Sequence, residues 1–184
     1  MIHLMIDGET PDSNAATTSF LTIAAVPFDP MSANILPADH FYYRCSLDSL
    51  KESGFSVSQD TLDWWGKQSN EAFAEAFGGT KPIMHMFSAF HTYISILKES
   101  FGDVIVWGNG ANFDNVICEH SFKKLGMSVP WSYKNNRCFR TLKELFPEIP
   151  IVYEGVKHNA VDDARNQALH AIKCLRALEA GKVK

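Results

Sequence analysis

The order of segments along the chain predicts an α/β fold, a mixed sheet flanked by helices. Three observations carry that expectation. Three short β-branched or aromatic runs come first, the hydrophobic period then lengthens to that of helices, and the second half alternates strand with helix. Hairpin strands followed by βαβ crossovers combine antiparallel and parallel pairing in one sheet.

Residues 2–6, 20–28 and 40–47 are the three opening strands, separated by Gly, Pro, Asn and Ser clusters. The gap from Thr10 to Ser19 is polar and turn-rich, so the first two strands should be antiparallel neighbours. After Ser58 the period changes. Residues 59–69 and 70–77 read as short helices, and Phe87, Phe90, Ile94 and Leu97 mark the buried stripe of a longer one. Residues 103–107 form an apolar run bounded by Gly102 and Gly108, which suits a buried central strand. A helix should follow over about 112–125. Pro130 and the pair Pro147 and Pro150 bracket a further strand and helix. A last helix carries the stripe Ala164, Ala168, Ile172, Leu175 and Leu178. No repeat, linker or low-complexity segment interrupts the 184 residues, which read as one domain over 1–184.

Composition excludes several classes. Apolar residues at 46% and charged residues at 21% argue against disorder, collagen-like repetition and coiled coil. No stretch approaches the roughly 18 to 20 apolar residues that span a bilayer, and the opening segment meets Asp7 too early for a secretory leader. A membrane partner is therefore not expected, and a cytoplasmic location is, in the host cytoplasm if the chain is phage-encoded. Cys45, Cys118, Cys138 and Cys174 are widely spaced, which indicates reduced thiols rather than a zinc site or disulfide framework. The net charge of −4 conceals two halves: residues 1–119 carry −10 and residues 120–184 carry +6. Such asymmetry points either to a polyanion partner or to a solvated basic helix face.

The acids supply the chemistry. Asp7 and Glu9 stand two apart at the end of the first strand, so both side chains leave the same face. Close unpaired carboxylates raise each other's pKa, and a divalent cation is their natural neutraliser, although alone the pair also reads as two solvated acids. Asp114 follows the central strand at the start of a helix, where an acid also favours the helix dipole. Gly108 and Gly110 mimic a dinucleotide fingerprint, but Phe113 stands where its third glycine belongs, and the motif is rejected. In the segment 158–164, Asn159 is the expected N-cap of the last helix. That places Asp162 and Asp163 in the first turn and His158 on the approaching loop, where it can converge with Asp163. Four acids from three distant segments suit a pair of hard cations about 4 Å apart in phosphoryl displacement. A neutral imidazole of ordinary pKa, about 6.5, can take the proton of an attacking water. His158 is the histidine beside a ligand motif.

Asp7-Gly-Glu9, Asn112-Phe-Asp114 and His158-x-Ala-x-x-Asp163 together resemble the three motifs of the DEDDh branch of the DnaQ-like 3′-5′ exonucleases, in the family's order. The resemblance extends over Ile23 to Asp29, Thr61 to Ser69, and Arg137 to Thr141, and is strongest to small phage exodeoxyribonucleases and their bacterial exoribonuclease relatives. It implies a ribonuclease H-like mixed five-stranded sheet flanked by helices. It also implies that Asp7, Glu9, Asp114 and Asp163 bind two Mg²⁺ or Mn²⁺ ions and that His158 is the general base. Asp162 lies outside the ligand register. Gly8 departs from the larger residue usual there, as Cys138 does from a position often acidic.

The implied activity is removal of nucleoside 5′-monophosphates from the 3′ end of single-stranded DNA. The alternative is RNA, either tails or short oligoribonucleotides, and a third reading is a silent nucleic-acid-binding module. Gly8, Thr10, Trp65, Asn112, Phe113, Arg137 and Arg140 are the candidate substrate contacts, with Trp64 and Lys157 beside them. Aromatic faces hold single-stranded ends and cations hold their phosphates. Adjacent tryptophans on a helix cannot face one way, so one of Trp64 and Trp65 belongs to the core. Homodimers are common in the resembling family, and a homodimer is the partner state it implies.

Overall fold

The computed structural model describes residues 1–36 and 40–181. Strands β1 (Ile2–Glu9), β2 (Thr22–Phe28) and β3 (Phe41–Arg44) pair antiparallel in succession. Strand β4 (Val104–Gly108) runs parallel to β1, and β5 (Asn136–Cys138) parallel to β4. The five lie in the order β3-β2-β1-β4-β5, which is the mixed sheet expected.

Helices α1 (Leu47–Glu52), α2 (Gln59–Trp65) and α3 (Asn70–Phe77) follow β3. Ser46, Ser58 and Ser69 open them, each hydroxyl accepting an N–H three residues on. The third predicted strand was drawn too long: Cys45 makes only an isolated bridge, and the Ser46 cap turns its end into α1. The first predicted short helix likewise stops at Trp65, because Gly66 closes it and Ser69 begins the next.

The two sheet faces bury different partners. Ile2, Leu4 and Ile6 of β1, with Val104 and Val106, meet Phe87, Phe90, Ile94 and Leu97 of α4 (Ile83–Phe101) and Ile117 and Phe122 of α5 (Asp114–Lys124). Met5, Ala24, Val26, Ile105 and Trp107 on the opposite face meet α6 (Phe139–Glu144) and α7 (Ala160–Glu179). The inner face of α7 is Ala160, Ala164, Ala168 and Ala171, all fully buried. With so little bulk beneath it the helix lies directly on β1 and β2, and that closeness positions its first turn. The stripe ends sooner than predicted, since Leu178 is 53% exposed where the helix runs past the sheet.

Candidate active site

Asp7 and Glu9 stand in the last three residues of β1 on the face covered by α7, and both line a cleft of about 310 Å³. Gly8 points to the other face. A Cβ there would sit 2.3 Å from the buried ring of Phe20 and 2.7 Å from the Thr22 carbonyl, so glycine makes room for Phe20. The sequence departure at this position is thus a packing requirement.

Asp114 reaches the cleft from the end of β4. The Asn115 amide donates to the Val106 carbonyl at 3.1 Å and pins the first turn of α5 to the strand. Gly108 permits this approach, since a Cβ there would meet that of Asp114 at 2.8 Å. The helix begins at Asp114 rather than at Asn112, after a tight turn in which the Phe113 N–H donates to the Gly110 carbonyl.

Asp163 enters from α7. Asn159 caps that helix as predicted, accepting from the Val161 and Asp162 amides. His158 precedes it in the left-handed region, φ 61°. Its N–H donates to Asp163 Oδ2 at 3.0 Å, while its ring stands edge-on to Trp64 and Trp65. One ligating atom each from Glu9, His158 and Asp163 lies within 4.8 Å of the others, a spacing that one cation can span.

Two residues that sequence reasoning missed hold these acids. Gln167, one turn beyond Asp163 on α7, donates through Nε2 to Asp7 Oδ1 at 2.7 Å. The Tyr153 hydroxyl lies 2.8 Å from Asp163 Oδ1. The four-residue step from Asp163 to Gln167 was a readable signal, since positions four apart share a helix face. Tyr153 had no such signal, because it lies in an irregular segment.

Electrostatics mark the cluster as strained without a counter-ion. Burial raises the Asp7 carboxyl well above its usual range, and Asp114, Glu9 and Asp163 raise it further against the Gln167 hydrogen bond. Glu9 is pushed up to about 8 by burial, then by Asp163, Asp114 and Glu75. Asp114 rises to about 7 through burial, and Asp163 is raised by the same cause. Among the described residues the ion pairs are Arg44 with Glu75 and Lys123 with Glu119, neither of which reaches these four acids. Arg140 offsets the charge of Asp114 and His158 that of Asp163, but burial still outweighs both, and a cluster of close carboxylates, all oxygen donors, fits a hard divalent cation.

Of the candidate substrate contacts, the Gly8 backbone, Phe113 and Arg140 line the cleft, and Arg140 is held at its rim by donating to the Asn109 carbonyl at 2.8 Å. Other candidate contacts lie elsewhere. Trp65 is 1% exposed and its indole N–H donates to the Thr10 carbonyl, so it offers no face to a base; Trp64, 43% exposed, is the open member of the pair. Thr10 is itself buried, its hydroxyl turned to the Asp12 carbonyl. Asn112 is exposed but outside the cleft lining. Arg137 sits on β5 opposite Trp107 and donates to the Lys134 and Asn136 carbonyls, away from the acids.

Solved structures share this architecture. An apo exonuclease I superposes with a TM-score of 0.66 at 14% identity, over 99% of this chain and 43% of that one. E. coli exonuclease I in complex with a dT13 oligonucleotide gives 0.64 at 16%, over 98% and 42%. A 3′-exonuclease described in 3′-end specific recognition of histone mRNA stem-loop gives 0.61 at 13%, over 99% and 83%. This chain thus spans less than half of exonuclease I, and at these identities the likeness establishes the ribonuclease H-like fold. No curated protein matches the chain in sequence. A family model described as the 3′-5′ exoribonuclease Rv2179c-like domain matches residues 2–175, and the chain belongs to that family.

Proposed function

We propose that residues 1–184 act as one domain, a metal-dependent 3′-5′ exonuclease releasing nucleoside 5′-monophosphates from single-stranded 3′ ends. The observation that carries this reading is the convergence of Asp7, Glu9, Asp114, Asp163 and His158 from three distant segments on one cleft. The family description, a 3′-5′ exoribonuclease domain, supports RNA as the first reading of the substrate. The oligonucleotide complex of E. coli exonuclease I supports single-stranded DNA as the second reading.

In this reading Asp7, Glu9, Asp114 and Asp163 hold two Mg²⁺ or Mn²⁺ ions. Such ions supply neutralisation of the phosphate and acidification of a bound water. Gln167 keeps Asp7 turned inward, and Tyr153 with the His158 N–H does the same for Asp163. A ring nitrogen of His158 accepts the proton of the water that attacks the terminal phosphorus. The new P–O bond forms as the P–O3′ bond breaks, and O3′ takes a proton from solvent, leaving a 3′-hydroxyl on the shortened strand. Arg140 meets phosphate charge at the rim, while Phe113 and the open face of Trp64 receive bases.

Matched 5′-labelled RNA and DNA oligonucleotides, each with a free or blocked 3′-hydroxyl, test this reading with Mn²⁺ present. Shortening from free 3′ ends, faster on RNA, is the expected result. Equal cleavage of blocked ends would refute exonuclease polarity, and faster loss of DNA would favour the second reading.

A further inference from the structure

We propose that Asp162 and Asn166 are positioning residues that clamp the segment from Tyr153 to His158 onto α7 and so aim His158 into the cleft. The proposal rests on the reading of His158 as general base. Asp162, the acid outside the ligand register, turns its carboxylate to that segment: Oδ2 accepts the Val156 N–H at 2.8 Å. Asn166 is 4% exposed and uses its whole amide. Its Oδ1 accepts the Glu154 N–H at 2.9 Å, and its Nδ2 donates to the Glu154 carbonyl at 2.8 Å and the Asp162 carbonyl at 2.7 Å.

Between these two anchors lies Gly155, φ +99°, whose missing Cβ would stand 2.4 Å from the Asp162 carboxylate. Only glycine allows the backbone to approach so closely and to take that conformation. Side chains from Glu154 to Lys157 do not anchor the segment by burial, since these four residues are all exposed, Val156 to 47%. It contains no regular secondary structure either. Polar bonds to the first two turns of α7 are therefore what place it. They also explain how His158 is kept left-handed, a conformation that persists only where surrounding contacts over-determine it. The Asp163 bonds to Tyr153 and to the His158 N–H complete the same strap, and tie the general base to a carboxylate of the cluster.

The test is a double-mutant cycle on Asp162→Ala and His158→Ala, measured as kcat and KM on a 3′-labelled oligonucleotide with Mn²⁺, beside amide exchange at Glu154 and Val156. Asp162→Ala should lower kcat by about tenfold, the lower range for residues that orient a site, with KM changed by less than about twofold. It should also speed exchange at Val156. Asp162→Asn keeps an acceptor oxygen and should recover most of the rate and the protection. In the His158→Ala background Asp162→Ala should cost nothing more, because the clamp acts through His158. Gly155→Ala, which pushes the segment off from its own side, should reproduce the Asp162→Ala losses. An equal fall in both backgrounds, or unprotected Val156 in the native protein, would overturn the clamp. If His158→Ala alone leaves kcat intact, the general-base reading falls, while Val156 exchange still decides the clamp.

Discussion

Raising the pH of the metal-free protein should strip it of stability, and Mn²⁺ should give that stability back. Glu9 sets the scale. Its carboxyl moves from 4.5 to about 8 on folding, through burial and then the charges of Asp163 and Asp114. Between those values the folded chain holds a proton that the unfolded chain has released, so stability falls as pH rises through the window. His3, pushed down to about 4 by burial and by Arg137, works in the opposite sense below pH 6.5, because there the unfolded chain binds the extra proton. His120 and His170, lowered by burial, act as His3 does, and the thiol of Cys138, held down against its burial by hydrogen bonds with Thr141, opposes the acids below the usual thiol range. Above about pH 6.5 the acids dominate, and up to pH 8 one such proton is worth roughly 2 kcal/mol at about 1.4 kcal/mol per unit. Asp7, Asp114 and Asp163 are raised in the same direction, and carboxyls that share protons titrate as a unit. For a chain of this size 1 kcal/mol moves Tm by about 2–4 °C, so a fall of roughly 4–8 °C is expected in EDTA. Mn²⁺ binds the ionised cluster, and at a hundredfold excess over Kd adds about 2.7 kcal/mol. Differential scanning calorimetry with EDTA or Mn²⁺ across this range measures both effects. A Tm in EDTA that stays level or climbs, or a larger Mn²⁺ gain at pH 6 than at pH 8, would refute the electrostatic reasoning.

Asp7→Asn keeps the acceptor for Gln167 but removes one carboxyl from the group that must release protons as pH rises, so the metal-free variant should lose less Tm than the native protein between about pH 6.5 and 8 while losing about 10⁴-fold in kcat; calorimetry and a cleavage assay check the pair. Gly8→Ala forces a methyl into the Phe20 ring and the Thr22 carbonyl and should cost about 1–3 kcal/mol in urea unfolding. The two tryptophans should separate by assay. Trp65→Ala empties a buried site and should lose about 3–5 kcal/mol of stability. Trp64→Ala should leave stability within about 0.5 kcal/mol and raise KM by the worth of one stacked base, about 1–3 kcal/mol.

The acids were legible because strand and helix periods translate directly into facing. The two-residue step put Asp7 and Glu9 on one face, and the Asn159 cap placed His158 outside the helix with Asp163 in its first turn. The buried stripe of α4 was equally open to reading, since Phe87, Phe90, Ile94 and Leu97 recur at helical spacing. What stayed hidden depends on contacts across the chain. Helix α1 is six residues long, too short for a period to declare itself, and its Ser46 cap looks like any loop serine. Either of two adjacent tryptophans satisfies a pattern; the choice fell to Trp65 as core because Thr10, 55 residues away, supplies an acceptor for its indole. In the sequence Gly8 is only a departure from the larger residue usual there; its reason is a phenylalanine twelve positions on whose ring fills that space. The hold of Tyr153 on Asp163 likewise arises from an irregular segment that only the folded chain defines.

A crystal grown with Mn²⁺ and a nucleoside 5′-monophosphate, measured at the manganese edge, tests the account most directly. Anomalous peaks among Asp7, Glu9, Asp114 and Asp163, with the phosphate against them and the His158 ring facing it, are the predicted result. Manganese held elsewhere, with these carboxylates still bare, would contradict it.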